Sequence, residues 1–177
     1  MSLVWIIGLV IVLAGGWVVF FGAPYVPSRR RDVRRAFDEL YAIGPNDTLV
    51  DIGSGDGVVL LEAASRGATA VGYEINPLLV AVAKLRLRHY KKSRVYLRNF
   101  WRVELPRTTT VVYLFGESRD IKKMAEWIQN QANMLGRPLY VISYGFTLPD
   151  IQLARQSKAC NLYKIQPLQI QTAYVKM

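Results

Sequence analysis

The sequence predicts an α/β fold in which a mostly parallel β-sheet carries helices on both faces. Apolar segments of strand length alternate with helix-length segments through most of the chain. A glycine-rich turn joins the first of these strands to the helix that follows, as in a βαβ unit. The last two strand-like segments lie close enough in sequence to form an antiparallel hairpin.

The predicted elements begin with an N-terminal helix. Ser28 is a suitable cap for a helix that runs to about Ile43 and is stopped by the Gly44-Pro45 pair. Beyond it, short apolar runs predict buried strands, and the Ala- and Leu-rich segments between them predict helices. The predicted strands are 48–52, 69–74, about 94–98, 109–115 and 138–144, and the predicted helices are 57–66, 78–91 and about 118–135.

The carboxyl-terminal half is predicted to have short connections between its elements. Residues 161–166 and 170–176 should form the hairpin, with Pro167 opening the connection between them. About ten residues, 99–108, join the third and fourth strands without a full helix, and little structure is expected in 145–160. We therefore expect much of a substrate site to come from the linker, from short loops or from the partner itself.

The N-terminal segment is apolar, and residues 3–22 hold no charged side chain. Such a run is about long enough to cross ~30 Å of hydrocarbon as a helix. A cleaved signal peptide would begin with basic residues and have a shorter apolar run, and a buried core helix would show a polar face. The sequence therefore predicts a transmembrane anchor at 1–22, a linker and N-terminal helix at 23–46, and a globular domain at 47–177.

The side of the membrane follows from the flanking charge. Arginines crowd the carboxyl side of the predicted anchor: Arg29, Arg30, Arg31, Arg34 and Arg35. The positive-inside rule then places the domain of a single-pass membrane protein on the cytoplasmic side, or on the matrix side in a mitochondrion. The lone Cys160 fits such a compartment, because one thiol cannot form a disulfide within the chain.

The chain is strongly basic, with a formal net charge of +10. One group of cations follows the second predicted strand: Lys84, Arg86, Arg88, Lys91, Lys92, Arg94 and Arg98. Such a group would attract an anionic membrane surface, at about 1 kcal/mol per well-placed cation. A solvated helix face and a nucleic-acid contact are the alternative interpretations.

The turn after the first strand indicates the chemistry. It reads Asp51-Ile-Gly-Ser-Gly-Asp-Gly57, and Glu74 ends the next strand. Glycines let the backbone approach a ligand without a Cβ, and an acid at the second strand end can reach ribose hydroxyls. Val58 stands where a dinucleotide fingerprint has its third glycine. Asp51 and Asp56 would repel a pyrophosphate but suit a sulfonium or ammonium cation.

These motifs resemble motif I and the acidic second-strand motif of class I S-adenosylmethionine-dependent methyltransferases, which have a Rossmann-like sheet and a carboxyl-terminal hairpin. The resemblance implies S-adenosyl-L-methionine as the cofactor. It implies that Glu74 accepts both ribose hydroxyls, that Ile75 flanks the adenine, and that Asn99 meets the adenine amino group or only caps a turn. The residues that would hold the methionine end are Asp51, Gly53, Ser54, Gly55 and Gly57.

Four segments are similar to a narrower family, the membrane-anchored lysine methyltransferases of mitochondria and their bacterial relatives. They are residues 22–28, 51–57, 72–77 and 99–101. The mitochondrial members methylate lysines of the adenine nucleotide carrier and of the ring-forming component of ATP synthase. The resemblance implies a lysine of a membrane protein as the methyl acceptor, although Asn99 stands where an acid is common.

An acceptor slot that keeps the lysine amine neutral would help such a reaction. We expect Tyr25, Trp101 and Tyr144 to line it. No metal is expected, because the chain has one His, one Cys and no ligand cluster. The fourth strand lacks the Asn/Asp-Pro-Pro-Tyr run of methyltransferases that act on bases, which disfavours nucleic acid as the substrate. A lipid or quinone-like acceptor, or a binding module without turnover, are the alternatives.

Overall fold

The computed structural model describes residues 3–9, 12, 28–115 and 120–168. The strands in this part of the chain are β1 (Thr48–Ile52), β2 (Thr69–Glu74), β3 (Arg94–Leu97), β4 (Val111–Phe115), β5 (Leu139–Tyr144), β6 (Leu153–Ser157) and β7 (Cys160–Ile165). The helices that contact them are α1 (Arg30–Arg35), α2 (Val58–Ser65), α3 (Pro77–Arg86) and α4 (Ile121–Leu135), and a short 3₁₀ turn lies at Phe100–Arg102.

The strands form one sheet in the order β3-β2-β1-β4-β5-β7-β6. β1 to β5 are parallel, while β7 runs antiparallel to both β5 and β6. The predicted α/β fold is therefore confirmed, and the sheet ends in an antiparallel hairpin, although its two strands are not the two predicted ones. The strand order reverses between β1 and β4, and ligands of such sheets bind in the crevice at the carboxyl ends of the strands beside that point.

Each face of the sheet has its own apolar core. On one face, α1, α2 and α3 pack against residues such as Leu49, Tyr113 and Ile142. On the other face, α4 contributes Ile128 and Ala132 to a second buried cluster. Side chains alternate between the faces along a strand, so Asp51, Tyr113 and Tyr144 project to the side that α1 covers.

The N-terminal helix differs from its prediction at both ends. Arg29 precedes its first turn, and no side chain caps it. The Ser28 hydroxyl, the predicted cap, instead accepts a hydrogen bond from Tyr113. After Arg35 the helix widens into a π turn, in which Tyr41 N donates to Ala36 O at 3.1 Å, and the chain then becomes extended. The widened turn still belongs to the core, because its apolar side chains are buried.

Ion pairs hold α1 against α2. The nearly buried Glu62 carboxylate accepts from the Nε atoms of Arg30 and Arg34, at 3.2 and 3.1 Å. Arg66 approaches the same carboxylate and also bonds to Asp38 at 2.7 Å. A buried carboxylate needs such partners, since leaving it unpaired is costly. The arginines that predicted the membrane orientation therefore also fasten α1 to the domain.

Two further boundaries correct the sequence predictions. The hairpin partner of β7 is β6, in the stretch 145–160 where little structure was expected. β6 is a polar, exposed edge strand, so it lacks the apolar alternation that signals a strand. The predicted strand 170–176 lies outside the described residues. α3 ends at Arg86 rather than near 91, because turns after Leu87 reverse the chain into β3.

Most of the predicted anchor and of the linker, including Tyr25, lies outside the described residues. Residues 3–9 are helical. Among the helices that the structure does describe, none is both long and apolar enough to cross a membrane. The short connection between β3 and β4, all of it described, is as predicted, because it contains the 3₁₀ turn at Phe100–Arg102 and no longer helix.

Candidate functional site

The glycine-rich turn leaves β1 at the carboxyl edge of the sheet. Gly53, Gly55 and Gly57 have φ of 75°, 52° and 80°, a region that favours glycine. The backbone N–H groups of Gly53 and Ser54 donate to Tyr73 O at 2.9 and 3.1 Å, which fixes the turn to the end of β2. A Cβ on Gly53 would meet no atom within 4 Å, so this side of the turn is open.

Glu74 holds the turn from the neighbouring strand. Its Oε2 accepts from Gly55 N at 2.9 Å, and its Oε1 accepts from Ile75 N and Asn76 N at 2.8 Å. The side chain is almost buried, with 8% exposed. A carboxylate has about four acceptor positions, so it still has room for a ligand hydroxyl. Glu74 thus fixes the shape of the turn and remains an acceptor at its edge.

Asp51 is a buried carboxylate at the end of β1. No described residue donates a hydrogen bond to it, and 3% of the residue is exposed. Burial raises the pKa of Asp51 well above its usual value, and the negative charges of Glu74 and Asp56 raise it further. A bound cation would favour the ionised form and relieve this cost. The site is therefore suited to a positively charged ligand that also carries hydroxyls.

Two glycines let the turn pack closely. A Cβ on Gly57 would lie 2.9 Å from the Cβ of Ala83 in α3. A Cβ on Gly72, beside Asp51 in the β1–β2 register, would lie 2.6 Å from Ser54 Oγ. The Ser54 hydroxyl is buried, faces β2 and has no hydrogen-bond partner among the described residues. The sequence motif contained Gly72 but gave no role for it.

Gly72→Ala is expected to lower the free energy of unfolding by about 1–3 kcal/mol, because an added methyl group overpacks the space beneath the turn. It would lie 2.5 Å from Leu60 Cδ1 as well as against Ser54. Denaturant unfolding measures the change. Gly44→Ala is the matched control, since nothing lies within 4 Å of its Cβ position. Equal losses in the two variants would contradict the packing argument.

The two residues predicted beside the adenine lie at the ends of adjacent strands. Ile75 follows Glu74 and has 44% of its surface exposed, as an apolar wall for a base would. Asn99 follows β3, and its Oδ1 accepts from Trp101 N at 3.1 Å, so it caps the 3₁₀ turn. One lone pair of that oxygen is left for a ligand. Capping and ligand contact are thus compatible at Asn99.

A second group of polar residues lies where α1 crosses the ends of β4 and β5. Tyr144 stacks on Phe115, with ring centroids 5.2 Å apart, and its hydroxyl donates to Asp32 Oδ2 at 2.9 Å. Burial and this hydrogen bond raise the pKa of Tyr144 above its usual value, so the phenol stays protonated. Its oxygen retains lone pairs that can accept from an incoming N–H group.

Tyr113 connects this group to Asp51. It stands opposite Asp51 in the register of β1 and β4, and it is fully buried. Its hydroxyl donates to Ser28 Oγ at 3.4 Å, and burial raises its pKa. Neither the role of Asp32 nor the contact of Ser28 was predicted from the sequence. The signal that could have found Asp32 is that it is the single acid within an arginine-rich stretch, 29–35.

Trp101 belongs to a different cluster from Tyr144. Its ring packs on Phe100 at 4.6 Å, and Lys123 Nζ lies 4.5 Å above it, on the side of α4. The structure therefore brings Asp51, Glu74 and the glycine turn together. Tyr144, at the end of β5, and Trp101, after β3, lie in two separate clusters. Tyr25 lies outside the described residues. The described residues hold no group of acids, His and Cys that could bind a metal ion.

The sequence matches a family model described as the ANTKMT methyltransferase domain over residues 51–155. It is 33% identical over 132 residues to a Xenopus laevis lysine N-methyltransferase named for a component of ATP synthase, covering 72% of this chain and 55% of that protein. It is 32% identical over 133 residues to the adenine nucleotide translocase lysine N-methyltransferase of Mus musculus, covering 73% and 56%. The chain thus spans about half the length of these relatives.

Solved structures share the fold. An RNA methyltransferase from Salinibacter ruber in complex with S-adenosyl-L-homocysteine has a TM-score of 0.71 and 25% identity, covering 83% of this chain and 97% of that one. A geranyl diphosphate C-methyltransferase from Streptomyces coelicolor A3(2) has a TM-score of 0.52 and 20% identity, covering 64% and 45%. The second likeness concerns the fold alone.

Proposed function

The chain belongs to the family of the ANTKMT methyltransferase domain, and on this basis we propose that it transfers a methyl group from S-adenosylmethionine to the ε-amine of a lysine in a membrane protein. The observation that carries the proposal is the pair of buried carboxylates, Asp51 and Glu74, on either side of an open glycine turn. Such a pair suits a ligand that carries both a cationic end and ribose hydroxyls.

The positions of the cofactor-binding residues support the roles proposed for them. Asp51 and the turn from Gly53 to Gly57 would hold the methionine end, while Glu74 would accept the ribose hydroxyls and Ile75 would cover one adenine face. Asn99 would meet the adenine edge. The bound cofactor would supply an electrophilic methyl group on a sulfonium. The protein then has to fix the donor and align the acceptor, which can account for much of the rate.

Tyr144 is proposed to orient the lysine amine. A lysine must lose its proton before it attacks, and a half-buried site beside the Phe115 and Tyr144 rings lowers the pKa of an amine that enters it. The negative charge of Asp32 would raise the pKa of the amine. This opposing effect is weakened, because the Asp32 carboxylate accepts from Tyr144 and lies 3.8 Å from Arg35. Since Tyr144 stays protonated, its oxygen would accept an N–H bond rather than remove the proton.

Tyr25 and Trp101 complete the proposed acceptor slot. Ser28 contacts Tyr113 at the carboxyl edge of the sheet, and three residues extend at most about 10 Å. Tyr25 would therefore lie near the same edge, with Trp101 on the side that α4 covers. Residues 1–22 are proposed as the single-pass anchor, with the domain at 47–177 on the cytoplasmic or matrix side. The arginines after the apolar segment support that orientation.

Tyr144→Phe is expected to lower kcat about 10- to 100-fold and to leave cofactor affinity unchanged, because the orientation of the acceptor is lost while the carboxylate pair is intact. Steady-state kinetics and calorimetry measure the two quantities. Tyr140→Phe is the matched control, since Tyr140 lies on the same strand and the same face but packs on Tyr41 at 5.0 Å. Equal kcat values in the two variants would remove Tyr144 from the mechanism.

The proposed function is tested by incubating membranes and the full chain with methyl-labelled S-adenosylmethionine, then separating protein, lipid and RNA. Label recovered as methyl-lysine in a discrete protein band supports the proposal. Label confined to lipid would favour a lipid or quinone-like acceptor, and label in RNA would favour the activity of the Salinibacter ruber neighbour. Cofactor binding with no labelled product in any fraction would indicate a module without turnover.

A further inference from the structure

The outward face of α3 is apolar. Leu78, Val82 and Leu85 have 55%, 40% and 62% of their surface exposed. Their spacing of four and three residues puts them on one stripe of the helix. The face that packs on the sheet carries the buried Val80 and Ala83. α3 is thus apolar on both sides, whereas the outer face of a helix in a globular protein is ordinarily polar.

Uncompensated positive charge surrounds this stripe. Residues 75–103 contain eight Lys and Arg side chains and no Asp or Glu. At 100° per residue, Lys84 and Arg86 lie on opposite sides of the stripe, and Arg88 follows in the turn that ends α3. Of the ion pairs among the described residues, the Arg86–Asp56 pair at 2.5 Å is the one that uses a cation of this region. The charge is therefore available to an external anion.

We propose that the α3 face, made of Leu78, Val82, Leu85 and the flanking cations, docks the domain on anionic lipid headgroups. Its aliphatic side chains would enter the boundary between headgroups and acyl chains while the cations contact lipid phosphates. The proposal rests on exposure and charge and not on the methyl-transfer reaction. It defines which surface of the domain would lie on the bilayer.

Charge favours lipid over the other possible occupants. A second copy of the chain would bring the same cations against one another across a two-fold interface, which is destabilising. Leu and Val side chains offer neither hydrogen bonds to base edges nor aromatic rings on which single-stranded bases stack, as nucleic-acid surfaces do. An anionic bilayer complements both the apolar stripe and its cationic rim.

The α3 face adjoins the candidate site. The helix begins at Pro77, three residues after Glu74, and the exposed Ile75 lies between them. α3 also covers the same face of the sheet as α1, and a short linker joins α1 to the apolar N-terminal segment. Docking through this face would hold the opening of the glycine turn beside the bilayer, where lysines near the membrane surface lie.

The test places an environment-sensitive fluorophore on the full chain through Leu85→Cys. Cys160 is the only natural cysteine and is buried, so the label goes to the introduced thiol. The chain is reconstituted in phosphatidylcholine vesicles with or without phosphatidylglycerol and a lipid-borne quencher. Met134→Cys is the matched control, because Met134 is a helical apolar residue with 57% exposure in α4. Both labelled proteins keep the same N-terminal segment, so tethering alone affects them equally.

We expect the label at position 85 to shift to the blue and to be quenched several-fold more than the label at 134, in vesicles that contain phosphatidylglycerol. Lys84→Glu combined with Arg88→Glu should abolish that difference. Equal quenching at the two positions would overturn the proposal, as would a difference that survives the charge reversal. A blue shift that appears with added RNA and not with vesicles would assign the face to RNA. A blue shift that depends on protein concentration alone would assign it to a second copy of the chain.

Discussion

Glu74→Ala is expected to weaken the binding of S-adenosylmethionine by about two to three orders of magnitude. Hydrogen bonds to a charged group contribute about 1.5–3 kcal/mol each, and each 1.4 kcal/mol is tenfold in affinity. The variant loses the acceptor position that remains for the ribose hydroxyls and also the bond from Gly55 N that fixes the turn. Isothermal titration calorimetry with the cofactor and with its demethylated product measures the effect.

Two further variants make this result interpretable. Glu74→Gln keeps the size of the side chain but turns an N–H₂ group toward backbone donors, so we expect a loss between wild type and alanine. Glu104→Ala removes an exposed carboxylate away from the turn and should leave affinity unchanged. Thermal unfolding shows first whether each variant is folded. A folded Glu74→Ala protein with wild-type affinity would refute the proposed cofactor site.

Asp51→Asn is expected to have opposite effects on stability and on function. Because the pKa of Asp51 is raised in the folded protein, ionising it costs folding free energy. Stability therefore falls as the pH rises from the usual Asp pKa to the raised value, and it stays lower above that window. Each unit of elevation corresponds to about 1.4 kcal/mol. The asparagine variant avoids this cost at neutral pH but gives up the charge that would hold a cation.

Denaturant unfolding at pH 7 and near pH 4 separates the contributions to stability. The asparagine variant should be more stable than wild type at pH 7, and the difference should shrink in acid, where the pH approaches the usual Asp pKa and Asp51 stays protonated in the folded protein. Cofactor affinity should fall at least about tenfold. Asp56→Asn is the matched control. Its lost charge relieves part of the repulsion of Asp51 but weakens the ion pair with Arg86 at 2.5 Å, so it should gain less stability than Asp51→Asn. A destabilised Asp51→Asn protein would contradict the assignment of a strained buried carboxylate.

The sequence predicted best those parts that short-range rules determine. β1 and β2 begin and end at the predicted residues, because an apolar run, a glycine turn and a terminal acid mark them locally. β6 was not predicted, because an exposed edge strand needs no apolar face and so gives no alternating pattern in the sequence. The π turn after α1 was not predicted either, because its residues have ordinary helical character and no local pattern marks the wider winding.

Some features of the candidate site were also predictable from local sequence, and others were not. Asp51, the glycines and Glu74 lie within one βαβ unit, so their spacing in sequence implies that they meet. Ser54 facing Gly72, and Asn99 capping its own turn, depend on side-chain directions that a motif does not specify. The contact of Tyr144 with Asp32 joins residues 112 positions apart, and no local pattern predicts such a pair.

That long-range contact has a consequence for the order of folding during synthesis. Asp32 bonds to Tyr144, and Glu39 bonds to Ser157, which lies 118 residues later in the chain. A chain that leaves the ribosome from its N terminus makes α1 first, but the strands against which α1 rests emerge last. Until then the apolar surface of α1 lacks part of its final partners. We therefore expect α1 to complete its packing against the sheet only when translation is nearly finished.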